Sequence, residues 1–224
     1  MADIYAIGDI HGHLDLLERL LEKLQPDMAR DRLVFMGDYI DRGPRSKGVV
    51  DYVLRLQHLA PPEQVVCLKG NHEAMFFNFL QGRDIELFLY NGGLATLRDY
   101  WGENWEELEE LVLPLDQQRF FEELRLYYET PDYLFVHGGV RPGVPLAEQG
   151  EDDLLWIRGE FITAMDDFGR LVVFGHTPFR HHLLLPNKIG IDTGAVYGNR
   201  LTCRYGHQGS RRTAGRIQGG NHRR

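Results

Sequence analysis

The chain has 224 residues, 43% of them hydrophobic, which suffices for one sizeable core, and a net charge of −8 at neutral pH. That charge excludes general attraction to nucleic acid or anionic lipid, and no uncharged apolar run approaches the roughly 18 residues of a membrane span. The start, "MADIYAIGDIHG", has no basic head followed by an apolar stretch, so a cytoplasmic protein with no membrane partner is expected.

The elements then alternate. "DIYAIGD" reads as a strand. "HLDLLERLLEKL" has leucines at 14, 17, 21 and 24, with 16 and 20 beside them, and reads as a helix. "RLVFMGD" is a second strand, and "SKGVVDYVLRLQHL" a second helix with Ser46 as its cap. "QVVCLKGN" is a third strand. This order predicts an α/β sheet with crossovers, at least partly parallel. From His72 to about Tyr128 the pattern is helical and aromatic, which predicts a helical insertion over about 74–128 with most rings in the core. Within it, "ENWEELEELV" reads as a solvated acidic helix face. The short runs "DYLFVHGG", "RLVVFGHT", "HHLLLPNKIGI" and "RLTCRYG" predict a second sheet packed on the first. One domain is expected over 1–206. The last 18 residues carry five arginines and no acid, and read as a disordered basic tail, the only part expected to attract nucleic acid. Cys67 and Cys203 lie far apart with no metal spacing; without an export signal no disulfide is expected, and Cys67 reads as a buried thiol.

Five predicted strands end alike. An apolar run stops, and a cluster of Asp, Asn or His flanked by glycine begins: "GDIHGH" (8–13), "GDYIDRG" (37–43), "GNHE" (70–73), "HGG" (137–139) and "GHTP" (175–178). Ligands in open α/β sheets gather at the carboxyl ends of strands, so these clusters can converge. They would deliver Asp9, His11, Asp38, Asn71, His137 and His176. Carboxylates, imidazoles and an amide oxygen without thiolate suit manganese, iron or zinc. Six ligands exceed the usual four of one zinc and suit two ions sharing a bridging carboxylate. Any one cluster alone is an ordinary turn; all five in this order are not.

The set "GDIHG … GDYIDRG … GNHE … HGG … GHT" resembles the phosphoprotein phosphatase family of binuclear metallophosphoesterases, in its compact bacterial and phage branch. The likeness runs from about residue 3 to 206, and "VHGGVRPG", "DLLWIRGEF" and "IGIDTGAVYGNRLT" extend it. The resemblance implies a calcineurin-like α/β fold, with two mixed sheets packed as a sandwich, flanking helices and a helical insertion. It places Asp9 and His11 on one metal, Asn71, His137 and His176 on the other, and Asp38 between them. Two divalent cations are implied, manganese first, with iron or zinc as alternatives. A metal-activated hydroxide would attack phosphorus directly. Arg42 and Arg158 would clamp phosphate oxygens. His72 would protonate the departing alkoxide, with Asp41 holding its ring.

His13 reads as a helix-start residue, Asp192 and Thr193 as turn residues behind the ligands, Glu73 as a holder of a turn N–H, and His181 and His182 as surface residues. The expected activity is hydrolysis of phosphoserine and phosphothreonine, with small phosphomonoesters as further substrates. The first alternative is a symmetrical diadenosine tetraphosphate hydrolase. Those enzymes carry the same metal set but usually Ala in place of the second aspartate, and "GNHD"; Asp41 and Glu73 here favour the monoesterase. A non-catalytic scaffold is the remaining alternative, disfavoured because all six ligands and His72 are present.

Overall fold

The computed structural model describes residues 3–207 and 217–221. Ten strands lie among them: β1 (Asp3–Ile7), β2 (Arg32–Phe35), β3 (Val65–Cys67), β4 (Tyr127–Glu129), β5 (Tyr133–Val136), β6 (Leu171–Phe174), β7 (Leu183–Leu184), β8 (Lys188–Gly190), β9 (Arg200–His207) and β10 (Ile217–Asn221). They form two five-stranded sheets, ordered β10-β9-β1-β2-β3 and β4-β5-β6-β8-β7. β1, β2 and β3 run parallel, as do β5, β6 and β8.

The side-chain period of two explains why these strands are apolar throughout. Ile4, Ala6, Val34, Met36 and Val66 point inward from the first sheet and meet Tyr133, Phe135, Val173 and Ile189 of the second. The alternate residues Tyr5, Ile7, Leu33 and Phe35 face the helices α1 (Leu14–Leu24) and α2 (Ser46–Leu59). On the far side, Leu134, Val136, Val172 and Phe174 are covered by α7 (Glu151–Trp156) and α8 (Gly159–Thr163). In α1, Leu14, Leu16, Leu17, Leu20 and Leu21 are buried, the stripe its leucine spacing predicts.

Between β3 and β4 lie α3 (Asn71–Leu80), α4 (Ile85–Phe88), a π-helical turn (Leu89–Gly93), α5 (Leu94–Trp101), a single 3₁₀ turn (Trp105–Glu107) and α6 (Leu115–Glu122). Their rings pack on one another, with Phe76 contacting Phe88, Tyr100, Trp101 and Phe121. No helix among the described residues is long and apolar enough to cross a membrane.

Five sequence expectations change. The helices between β3 and β4 close at Glu122, short of Tyr128, because Tyr127 and Tyr128 pair with Val136 and Phe135 as β4. "ENWEELEELV" forms only the Trp105–Glu107 turn; beyond it Leu111 and Leu113 turn inward alternately with exposed Val112 between them, an extended period of two. "RLTCRYG" joins the first sheet, not the second, since β9 covers the open edge of β1 and Tyr205 Oη donates to Asp3 Oδ2 at 2.9 Å. The stretch read as a disordered tail contains β10, whose backbone pairs with β9; the remaining tail residues lie outside those described. Ser46 is the first residue of α2 but does not cap it. Asp99 of α5 does, its Oδ2 accepting the Lys47 N–H at 2.7 Å.

Candidate metal centre

Six parallel strands end at one edge of the sandwich, and each ending carries a polar side chain. Asp9 follows β1, Asp38 follows β2, Asn71 opens α3 after β3, His137 follows β5, His176 follows β6 and Asp192 follows β8. His11 arrives on the same turn as Asp9. All seven side chains are buried, as are His72 and Asp41.

Asp38 sits in the middle. Its Oδ2 lies 3.5 Å from His11 Nε2 and 3.9 Å from His72 Nε2, and its Oδ1 lies 3.4 Å from His137 Nε2. Asn71 Oδ1 is 3.0 Å from His137 Nε2 and 2.9 Å from His176 Nδ1. Two groups with ion-holding spacing result, His11–Asp38–His72 and Asp38–His137–His176, and they share Asp38. Asp9 stands beside the second group. Its carboxylate accepts the His176 N–H at 2.9 and 3.2 Å, so the tight trio around His11 is completed by His72 and not by Asp9.

The histidines are set to offer lone pairs. His11 Nδ1 donates to the Ile40 carbonyl at 2.9 Å and His137 Nδ1 to that of Met36 at 2.8 Å. A carbonyl only accepts, so Nδ1 carries the hydrogen in both and Nε2 is bare toward Asp38. Burial pushes His11 well below its usual pKa and His137 down to about 3, so both rings are neutral at pH 7. Burial also pushes Asp9 and Asp38 well above the carboxylate range, helped by the charge of Asp192 on both and of Glu73 on Asp38. His176 Nε2 is buried without any hydrogen-bond partner. A pit of oxygen and nitrogen acceptors with neutral imidazoles is short of positive charge, and divalent cations fit that donor set.

Backbone geometry serves the same point. Among the described residues eight non-glycines adopt left-handed φ, and five of them are His11, Asp38, Asp41, Arg42 and His176. Glu73 holds the strained turn after β2: its carboxylate accepts the N–H groups of Gly70, Asp38 and Tyr39, each at 2.9 Å. Gly70 and Gly175 are required by close approach, since a Cβ would stand 2.1 Å from Asp38 Oδ1 and 2.2 Å from Asp9 Oδ1.

The four remaining candidates flank these groups. His72 Nδ1 meets Asp41 Oδ2 at 2.7 Å, with both side chains excluded from solvent. Burial lowers His72 and raises Asp41 to about 8, each away from its charged form, and the short contact places a hydrogen between Nδ1 and Oδ2. Arg42 Nη1 donates to His11 Nε2 at 2.9 Å. Arg158 lies beside the other group, donating to His176 O at 2.8 Å and Thr177 Oγ1 at 3.2 Å. One guanidinium therefore borders each half of the centre.

His13 is at the start of α1, and Thr193 donates to Arg200 O at 2.6 Å, away from the ligands. Asp192 accepts the Gly194 N–H at 2.8 Å and lies close enough to raise Asp9, nearer the centre than its turn motif suggests. His181 and His182 line a separate pocket of about 420 Å³ with Arg180, Arg200 and Tyr197, and Tyr197 lies 5.8 Å from the Arg42 guanidinium. Sequence reading missed Thr96, whose hydroxyl contacts Asp41, and Trp156, edge-on to His176 with ring centres 6.0 Å apart. Trp156 had a signal in its place two residues before Arg158; Thr96 had none.

Residues 2–208 match the model of the family described as calcineurin-like phosphoesterase. The chain is 31% identical over 208 residues to a serine/threonine-protein phosphatase 1 of Salmonella typhimurium, covering 89% of each. It is 30% identical over 227 residues to an asymmetrical bis(5'-nucleosyl)-tetraphosphatase of Bacillus velezensis, covering 88% of this chain and 86% of that one. Among solved structures it is similar to a proposed diadenosine tetraphosphatase, with TM-score 0.75 and 25% identity over 97% of this chain and 92% of the other. The nucleotide-cleaving relative is thus of the asymmetrical kind, not the symmetrical kind expected as the alternative.

Proposed function

The chain belongs to the calcineurin-like phosphoesterases, and we propose that within that family it releases phosphate from phosphoserine and phosphothreonine, using two cations held by Asp9, His11, Asp38, Asn71, His137 and His176. The observation that carries this reading is the buried His72–Asp41 contact, 2.7 Å long, set against Asp38. Serine and threonine alkoxides are poor leaving groups, and a positioned acid is worth about 10²–10⁴-fold on them. Asp41 occupies Nδ1 of His72, which leaves Nε2 as the edge facing the reacting phosphate.

The cations, when bound, neutralise phosphate charge and make a water acidic enough to ionise near neutral pH. The chain's own residues do the rest. Arg42 and Arg158 bind phosphate oxygens from opposite halves of the centre and orient the ester for in-line displacement. His72 holds a proton at Nε2 and passes it to the departing oxygen. Glu73 keeps the Asp38 turn in its strained shape, so that the two carboxylate oxygens face different histidines.

Turnover of p-nitrophenyl phosphate should vanish in chelator and return best with manganese. On one manganese-loaded sample, a phosphothreonine peptide should be hydrolysed faster than diadenosine tetraphosphate; the reverse order would hand the assignment to the second reading. That second reading, an asymmetrical dinucleoside tetraphosphate hydrolase, is favoured by the 30% identical relative and by the pocket beyond Tyr197. The pocket's two arginines and two histidines, with no acid among the lining residues, suit further phosphates.

A further inference from the structure

We infer that Thr96, from the helical insertion, is a positioning residue for proton donation to the leaving group: its hydroxyl fixes the Asp41 carboxylate, which in turn orients His72. The inference rests on the acid role proposed above for His72.

The hydrogen accounting is closed. Thr96, Asp41 and Ser46 are all excluded from solvent. Thr96 has one hydroxyl hydrogen, and it goes to Asp41 Oδ1 at 2.6 Å. Thr96 Oγ1 in turn accepts the Asp41 N–H at 2.9 Å, and Ser46 Oγ accepts that N–H as well at 3.1 Å. With its hydrogen spent, Thr96 can only accept from Ser46 across their 2.9 Å contact. Ser46 therefore steadies Thr96, and both hold the backbone of Asp41 at its left-handed φ of 71°. Of these two hydroxyls, only that of Thr96 touches the carboxylate. Once Oδ1 is held, the carboxylate cannot rotate, and Oδ2 has one partner, His72 Nδ1.

The same stretch of the insertion places the neighbouring arginine. The Arg42 N–H donates to Gly92 O at 3.1 Å, and its Nε to Asn91 O at 3.3 Å. Residues 91–96 thus form the wall behind both the phosphate clamp and the acid. They lie some 50 residues from the motif they support, which makes the insertion part of the catalytic apparatus rather than a cover over it.

The test compares two substrates in the manganese-loaded full chain. The readout is the ratio of kcat on a phosphothreonine peptide to kcat on p-nitrophenyl phosphate, whose leaving group departs without a proton. His72→Asn serves as the reference and should lower this ratio about 10²-fold. Thr96→Val keeps the shape but removes the hydroxyl, and should lower the ratio about tenfold; Thr96→Ser should restore it. Thr96→Ala carries the same expectation if valine does not fold. A second readout needs no turnover and uses the zinc-loaded, diamagnetic chain: the low-field proton resonance on His72 Nδ1, identified by its loss in His72→Asn, should move in Thr96→Val and return in Thr96→Ser. A lowered ratio in His72→Asn with an unchanged ratio in both Thr96→Val and Thr96→Ala overturns the inference and leaves the acid standing. An unchanged ratio in His72→Asn removes the acid and the inference together.

Discussion

The two sides of Asp38 are built from different material. On the His11 side the neighbours come from the turn after β2, the start of α2 and the helical insertion: His72, Asp41, Thr96, Ser46 and Arg42. On the other side His137, His176, Arg158 and Trp156 come from the second sheet and the α7–α8 stretch, joined by Asn71 and Asp9 from the ends of β3 and β1. The first side has a buried histidine–aspartate pair, His72 and Asp41, in direct contact. The second has ring nitrogens, an amide oxygen and a backbone carbonyl contact, but no carboxylate paired to a histidine ring apart from Asp38 itself. On the function proposed above, this difference would divide the labour, with proton handling on one side and charge binding on both.

The largest effect should come from the residue that belongs to both sides. Asp38→Asn should lower turnover on every phosphoester by on the order of 10³-fold and cut bound manganese, measured by elemental analysis, at both positions. Retention of one full equivalent of metal would mean the halves are independent. Next in size, Arg42→Ala and Arg158→Ala should each cost roughly 10²-fold in kcat/KM. If labour is divided, the loss in both variants should be the same for alkyl and aryl phosphates, in contrast to His72→Asn. A loss confined to alkyl esters in Arg158→Ala would place proton handling on the second side too.

The smallest effect tests the frame behind both sides. Cys67 in β3 and Cys203 in β9 are free and buried, and burial pushes the Cys67 thiol up to about 12. Native protein at pH 8 should therefore resist Ellman's reagent until denaturant is added. The sign for stability follows from linkage. The unfolded thiol ionises near the ordinary thiol value of 9.0 while the folded one stays protonated, so Cys67 should cost stability only as pH rises from about 9 toward 12. Fast labelling at pH 8 would mean that the strands carrying the centre open readily.

Much of this was readable in the chain. The apolar runs became strands, the leucine spacing became α1, and the polar clusters lie at strand ends, where glycines let the chain turn tightly and ligands gather in open α/β sheets. These are local properties, carried by five to fifteen neighbouring residues. Partnership across long separations was not readable. The cap of α2 is Asp99, not the adjacent Ser46, and the group fixing Asp41 is Thr96, an undistinguished threonine on a helix. The acidic run 103–112 looked helical by composition, yet Leu111 and Leu113 were drawn inward onto the core.

By itself, then, the sequence determined which residues are polar strand-end donors and that an α/β sandwich would present them at one edge. Only the tertiary structure decided that Asp38 faces a different histidine with each oxygen, that Asp9 leans on the His176 backbone, and that the insertion reaches behind Asp41. The reason is physical: side-chain type and period are encoded locally, whereas hydrogen-bond satisfaction of a buried group depends on whichever element packing brings against it.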